Sequence, residues 1–225
     1  MGNDQMLRGK LQETMRGSAL PMAIDISLDR AERRGFVLAM FGRAIAIGTV
    51  ACFSLWGYYF PINIYVFFAT IAVALLGLSA LLVSGSRSER IARFAVFAFD
   101  PILISALLAF APLSSGDDVP QNLVFLTSRV QNYYLFIAAA VLTLSPTLVI
   151  WSGFWSIVGL VLATVHITLG MGDYLTFNDL PRGPSRDVFI SIVLNPNFIG
   201  LSSRAQEILM IGAVTGITAF AVRRA

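Results

Sequence analysis

Charge is scarce in this chain. Of 225 residues, 13% are Asp, Glu, Lys or Arg, while 56% are hydrophobic. A water-soluble domain of this length could not cover so much apolar surface with so few charges, so the expected class is a polytopic membrane protein. There is one cysteine, Cys52, set in an apolar run. It excludes an intrachain disulfide framework and a Cys-rich metal site, and reads as a small core or lipid-facing residue. There is one histidine, His166, so bis-histidine haem ligation within one chain is excluded. Apolar alternation at period two is absent, which disfavours a β-barrel and leaves a helical bundle. The first thirty-five residues hold no short apolar core with a small-residue cleavage site, so no cleavable signal peptide is expected. "MGNDQM" carries Met6 where a myristoylation motif wants Ser or Thr. Residues 36–111 and 131–222 show no correspondence, which leaves an inverted-repeat transporter unsupported.

What is present is long apolar runs. A spanning helix needs about 20 apolar residues, and on that ruler six spans are expected, at roughly 36–56, 62–83, 92–111, 131–145, 148–170 and 206–222. The run from Leu135 to Leu169 would be about 52 Å as one helix, too long for a hydrocarbon core of about 30 Å. Pro146 lacks an N–H and disfavours helix at the residue before it, so "LSPT" reads as a tight turn between two antiparallel spans. Ser145 is the expected cap of the next helix. The fold class is therefore all-α, a six-transmembrane-helix bundle over 36–222. A segment 1–35 precedes it, and an exit at 223–225 follows.

The basic residues sit beside the apolar runs, the footprint of membrane topology and not of a nucleic-acid groove. One side carries Arg8, Lys10, Arg16, Arg30, Arg33, Arg34, Arg87, Arg90, Arg93, Arg223 and Arg224; the other carries Arg129, Arg182, Arg186 and Arg204. Eleven against four places both termini in the cytoplasm. The outer loops are then "PLSSGDDVPQN" and the segment 171–204, which is rich in Gly, Pro, Asn and Asp and expected to be largely irregular. Within it, "RDVFISIVLNP" suits either a short strand or an interfacial helix. Ser203 and Gln206 have the spacing of a capping box at the start of the last span. The pair Asp117 and Asp118 reads as solvated loop residues.

Ionisable groups within spans are costly and are candidates for function. Arg43 and Asp100 lie at similar depth in the first and third spans, about 10 Å in. The reading is a buried ion pair that registers the two helices, set against Arg43 snorkelling to lipid phosphate and Asp100 facing water near Pro101. His166 falls near the outer leaflet and reads as a hydrogen-bonded interfacial residue. Arg129, Gln131, Asn132, Tyr133 and Tyr134 mark the outer start of the fourth span. They read as an aromatic and polar belt, or as the mouth of a pocket for a lipophilic ligand. "WGYYF" at 56–60 is belt-like too. Gly212 and Gly216, one turn apart in "GAVTG", would let two last helices approach closely in a homodimer.

Several stretches then read together: "RAERRGFVLAMFGRAIAI", "RIARFAVFAFDPILISALL", "SRVQNYYLFIAAAVLTLSPTLVIWSGF", "NPNFIGLSSRAQEILM" and "AFAVRRA". Over roughly residues 28–225 they resemble the N-terminal six-helix membrane anchor of bacterial class III adenylate cyclases. The resemblance implies a dimeric anchor and sensor in the cell inner membrane, with lipid around it. Its last helix would pass through Arg223 and Arg224 into a cyclase domain. The metal-binding aspartates and ATP-recognising groups of such a domain are not among these 225 residues, so no cAMP synthesis is expected of them. Some anchors of this kind are thought to bind haem and respond to quinone; His166 is the one candidate cofactor contact here, no cofactor is expected, and haem or quinone is left as an open alternative without further support in the sequence. The alternative is a non-enzymatic accessory subunit of a larger bioenergetic or photosynthetic membrane complex.

Overall fold

A computed structural model describes residues 31–56, 60–83, 86, 88–110, 121–126, 128–195 and 197–224. The segment up to Arg30, residues 111–120 with Asp117 and Asp118, and the Gly57–Tyr59 part of the aromatic cluster lie outside the described residues. The described chain is helical: α1 Ala31–Trp56, α2 Ile62–Ser79, α3 Glu89–Phe110, α4 Asn132–Val141, α5 Pro146–Gly170, α6 Arg186–Val193 and α7 Leu201–Arg224. Ala80–Val83 continues α2 as a 3-10 helix, and two more such turns, Gln121–Leu126 and Ser128–Gln131, lead into α4.

Five of these helices are long and apolar enough to cross a membrane: α1, α2 with its continuation, α3, α5 and α7. The expected fourth span, 131–145, yields ten α-helical residues, a rise of about 15 Å and half of a hydrocarbon core. Its apolar composition continues beyond the helix on both sides, and composition alone does not show where the hydrogen-bond ladder stops.

The turn at Pro146 forms as its chemistry requires. Pro146 is the first residue of α5, where its missing N–H costs nothing, and Leu144 takes a φ of 57° to reverse the chain. Ser145 has extended cap geometry but its side chain makes no capping bond. Instead its backbone N–H donates to Thr143 Oγ1 at 3.3 Å. The expected cap at Ser203 is also displaced. α7 begins at Leu201, so Ser203 and Gln206 lie inside the helix, and Arg204 N–H donates to the Gly200 carbonyl at 3.1 Å. In the segment between α5 and α7 "RDVFISIV" is a helix, opened by the Ser185 hydroxyl accepting from Val188 N–H at 3.4 Å.

α5 is the centre of the bundle, packed against α3, α4 and α7. Small residues make this possible. Gly153 and Gly159 lie six residues apart, so they face directions about 120° apart around the helix. A methyl group at Gly153 would overlap Thr215 of α7, and one at Gly159 would overlap Ser105 of α3. Each glycine is thus a notch that receives a neighbour's hydroxyl-bearing side chain. In lipid, where apolar surfaces gain little by meeting one another, such close approach is what holds helices together. Outside this core the helices turn apolar side chains outward, among them Ile45, Phe53, Phe68, Leu162 and Ile217. Cys52 is exposed as well.

Candidate functional site: a buried polar network between the helices

The structure brings Arg43 and Asp100 together. Their side chains are 1% and 2% exposed. Arg43 Nε donates to one Asp100 carboxylate oxygen and its terminal nitrogen to the other, a two-pronged pairing that the planar guanidinium suits and an ammonium could not reproduce. Because α1 starts at Ala31 and α3 at Glu89, earlier than the sequence ruler placed them, the pair lies about half-way along both helices.

Both terminal Arg43 nitrogens, including the one paired with Asp100, also approach the Val73 carbonyl of α2 at 3.4 Å. They can do so because α2 turns Ala74, Gly77 and Ala80 inward. A methyl on Gly77 would occupy the space of the Arg43 guanidinium. One buried cation therefore ties three helices.

A neutral chain continues from Asp100 toward the other end. Pro101 follows it inside α3 and has no N–H to give to the turn before. The Ser105 hydroxyl donates to the Pro101 carbonyl at 2.6 Å and lies 2.8 Å from the Tyr133 hydroxyl. With the serine proton committed to the carbonyl, the tyrosine is the donor of the second bond. Tyr133 is fully buried. The pocket-mouth and belt readings of this residue are thereby corrected, since its ring lies in the core between α3 and α4 and its hydroxyl faces Ser105. Asn132 is half-buried, and the side chain of Arg129 lies outside the described residues.

At the far ends of α3 and α5 a cleft of about 390 Å³ is lined by His166, Ile167, Gln121, Asn197, Ala109 and residues 170–172. His166 is exposed and its ring lies 4.7 Å from that of Phe110. Among the described residues no Asp, Glu, Lys or Arg side chain lines this cleft. Among the described residues no group of three or more His, Cys, Asp and Glu side chains could hold a metal ion. Asn122 at the same end is buried and donates to the Phe198 carbonyl at 3.0 Å.

The other sequence-based candidates lie on α7. The face it presents to the bundle is Ile211, Thr215 and Ala219, not the two glycines. Gly212 sits at the edge of that contact, where a methyl would come 3.7 Å from the Ile157 side chain, and Gly216 faces open space. Arg223 and Arg224 form the last turn, with the Arg224 guanidinium 4.5 Å over the Phe220 ring.

Sequence reading missed Gly77, Ser105, Gly153, Gly159 and Thr215. The signal available was the spacing of small residues: Ala74, Gly77 and Ala80 in α2, and Ser152, Gly153, Ser156, Gly159 and Ala163 in α5. No known protein family matches the chain, and neither a curated protein nor a solved structure is similar to it.

Proposed function

We propose that this chain is a membrane-embedded anchor and sensor module of the kind that class III adenylate cyclases carry ahead of their catalytic domain. It would work as a homodimer in the cell inner membrane, with both termini cytoplasmic, and set the relative orientation of two output domains. The observation that carries the reading is the interlock of α3, α5 and α7. Ser105 sits in the Gly159 notch and Thr215 in the Gly153 notch. Packed side chains of this kind do not slide continuously past one another, so a displacement of α3 is delivered to α7 as a discrete shift. α7 then carries it to Arg223 and Arg224.

Two further features support this arrangement. Six passes are consistent with the helix ends. Tyr133 opens α4 beside Ser105, while Leu142 beyond its end meets Gly35 near the start of α1. Trp151 early in α5 donates to the Phe94 carbonyl early in α3 at 2.9 Å. These contacts support a fourth pass in which the chain from Asn132 to Ser145 heads back toward the side from which α1 and α3 start. The open space at Gly216 leaves that face of α7 available to a second copy.

The test is a fusion of a class III catalytic domain after Ala225, expressed in cells that lack cyclase. The expected result is more cAMP than from the free catalytic domain, altered by Gly153→Leu in protein that still inserts. A fusion no more active than the free domain, with a monomeric mass in mild detergent, would remove the proposal. Migration of the unfused protein within a larger hetero-complex in native gels would favour the accessory-subunit role instead.

A further inference from the structure

The excursion between α5 and α7 is clamped at its neck and leaves one helix without a packed partner among the described residues. Leu175 and Phe198 form a parallel bridge, with Leu175 N–H donating to the Asn197 carbonyl and Ile199 N–H to the Leu175 carbonyl, both at 2.8 Å. Phe177 packs edge-on against Phe198 at 4.9 Å, and Asn122 holds the Phe198 carbonyl from the turn that caps the bundle. The neck is therefore fixed at the level where α5 ends and α7 begins. Beyond it α6 has no buried residue at all, although its sequence is "RDVFISIV".

The placement of its side chains is one-sided. At about 100° per residue, Asp187 and Ser191 share one face and Phe189 points opposite to their midpoint, with Val193, Ile192 and the Arg186 position within about 60° of it and Val188 and Ile190 about 100° to either side. Val188, Phe189 and Ile190 are exposed, as is Leu194 just beyond the helix. Soluble surfaces do not gather apolar side chains in this way without a partner.

We infer that α6 is an interfacial helix, lying in the plane of the outer membrane boundary with Phe189 and its neighbours in the upper acyl region. Continuity decides the occupant. α6 is tethered at both ends to helices that cross the same bilayer, so its apolar face meets lipid without any further partner. The charges do not call for an anionic surface. Arg182 and Arg186 are matched by Asp173, Asp179 and Asp187 across this segment, so attraction to acidic headgroups is not the driving force. Insertion rests on apolar burial, and the aromatic residue at the centre of the face suits the headgroup boundary.

The experiment is a nitroxide scan from Arg186 to Leu194 in a Cys52→Ser background, with the full chain reconstituted in phosphatidylcholine vesicles. Collisions with oxygen, enriched in lipid, are compared with collisions with a water-soluble nickel complex. The expected ratio oscillates with helical period, with oxygen dominant at 189 and nickel dominant at 187 and 191. It should hold when phosphatidylglycerol replaces half the lipid. Uniform nickel access along the helix would overturn the inference by showing α6 in water. Low access to both reagents at 189 would overturn it by showing that protein covers the face.

Discussion

Consider Asp100→Ala. In the native bundle the Arg43 guanidinium, 3% exposed as a whole residue, gives its strongest hydrogen bonds to this carboxylate. Removing the carboxylate leaves a cation half-way along the helices with only the distant Val73 carbonyl, at 3.4 Å. Breaking a buried pair from one side costs roughly 3–5 kcal/mol, because the orphaned charge keeps its desolvation penalty. For a chain of this size 1 kcal/mol moves the melting midpoint by about 2–4 °C, so the loss should be about 6–20 °C.

Replacing both partners, Arg43→Leu with Asp100→Leu, removes the orphan and should recover most of that loss. Gly77→Ala supplies an independent handle. Its methyl would overlap the pinned guanidinium, at a cost of about 1–3 kcal/mol in the native background, and should be tolerated once Arg43 is Leu. Thermal unfolding in mild detergent, followed by size-exclusion fluorescence, reads all five proteins. If Asp100→Ala is no worse than the double change, or if Gly77→Ala is equally damaging with Leu at position 43, the buried-pair reasoning is refuted.

Three other outcomes are expected. Gly159→Val should separate α3 from α5 by overpacking against Ser105, with a loss of about 1–3 kcal/mol, partly restored by Ser105→Gly; unchanged melting would contradict the notch. In a Cys52→Ser background, Ser185→Cys should react with an impermeant thiol reagent from outside and Ser86→Cys only after lysis; the reverse pattern would invert the topology. Asp179 accepts from the Thr176 backbone N–H at 2.7 Å and from its hydroxyl at 2.9 Å, and these bonds hold its carboxyl below the ordinary range. A depressed folded-state pKa stabilises the turn above the unfolded carboxylate's pKa, and that contribution is lost as pH falls through the folded value. Amide exchange at Thr176 should therefore stay slow through the usual carboxylate range and quicken only below it; quickening at the ordinary aspartate pKa would exclude the effect.

Much of the architecture was legible in one dimension, because crossing a bilayer is a local demand. Five runs met the length and apolarity required, and Pro146 divided the long run where its missing N–H makes division cheap. Arg43 and Asp100 stood out because charge is rare in such runs, and depth along two helices is enough to suggest pairing. Which face of each helix looks inward was a different matter. Lipid and protein interior are almost equally apolar, so hydropathy does not separate Phe68, turned outward, from Phe97, fully buried. Tyr133 reads as an interface aromatic until Ser105 is seen beside it, and that Thr215 is the α7 residue seated in the Gly153 notch is visible only in three dimensions. The length of α4 and the start of α7 depended on where backbone hydrogen bonds pass to 3-10 turns and to the Gly200 carbonyl, which side-chain composition does not record. The sequence by itself determined that the chain is a bundle of apolar helices and where most of them begin and end. Only the tertiary structure decided how they interlock, because that rests on the shape of small residues at contacts between distant segments.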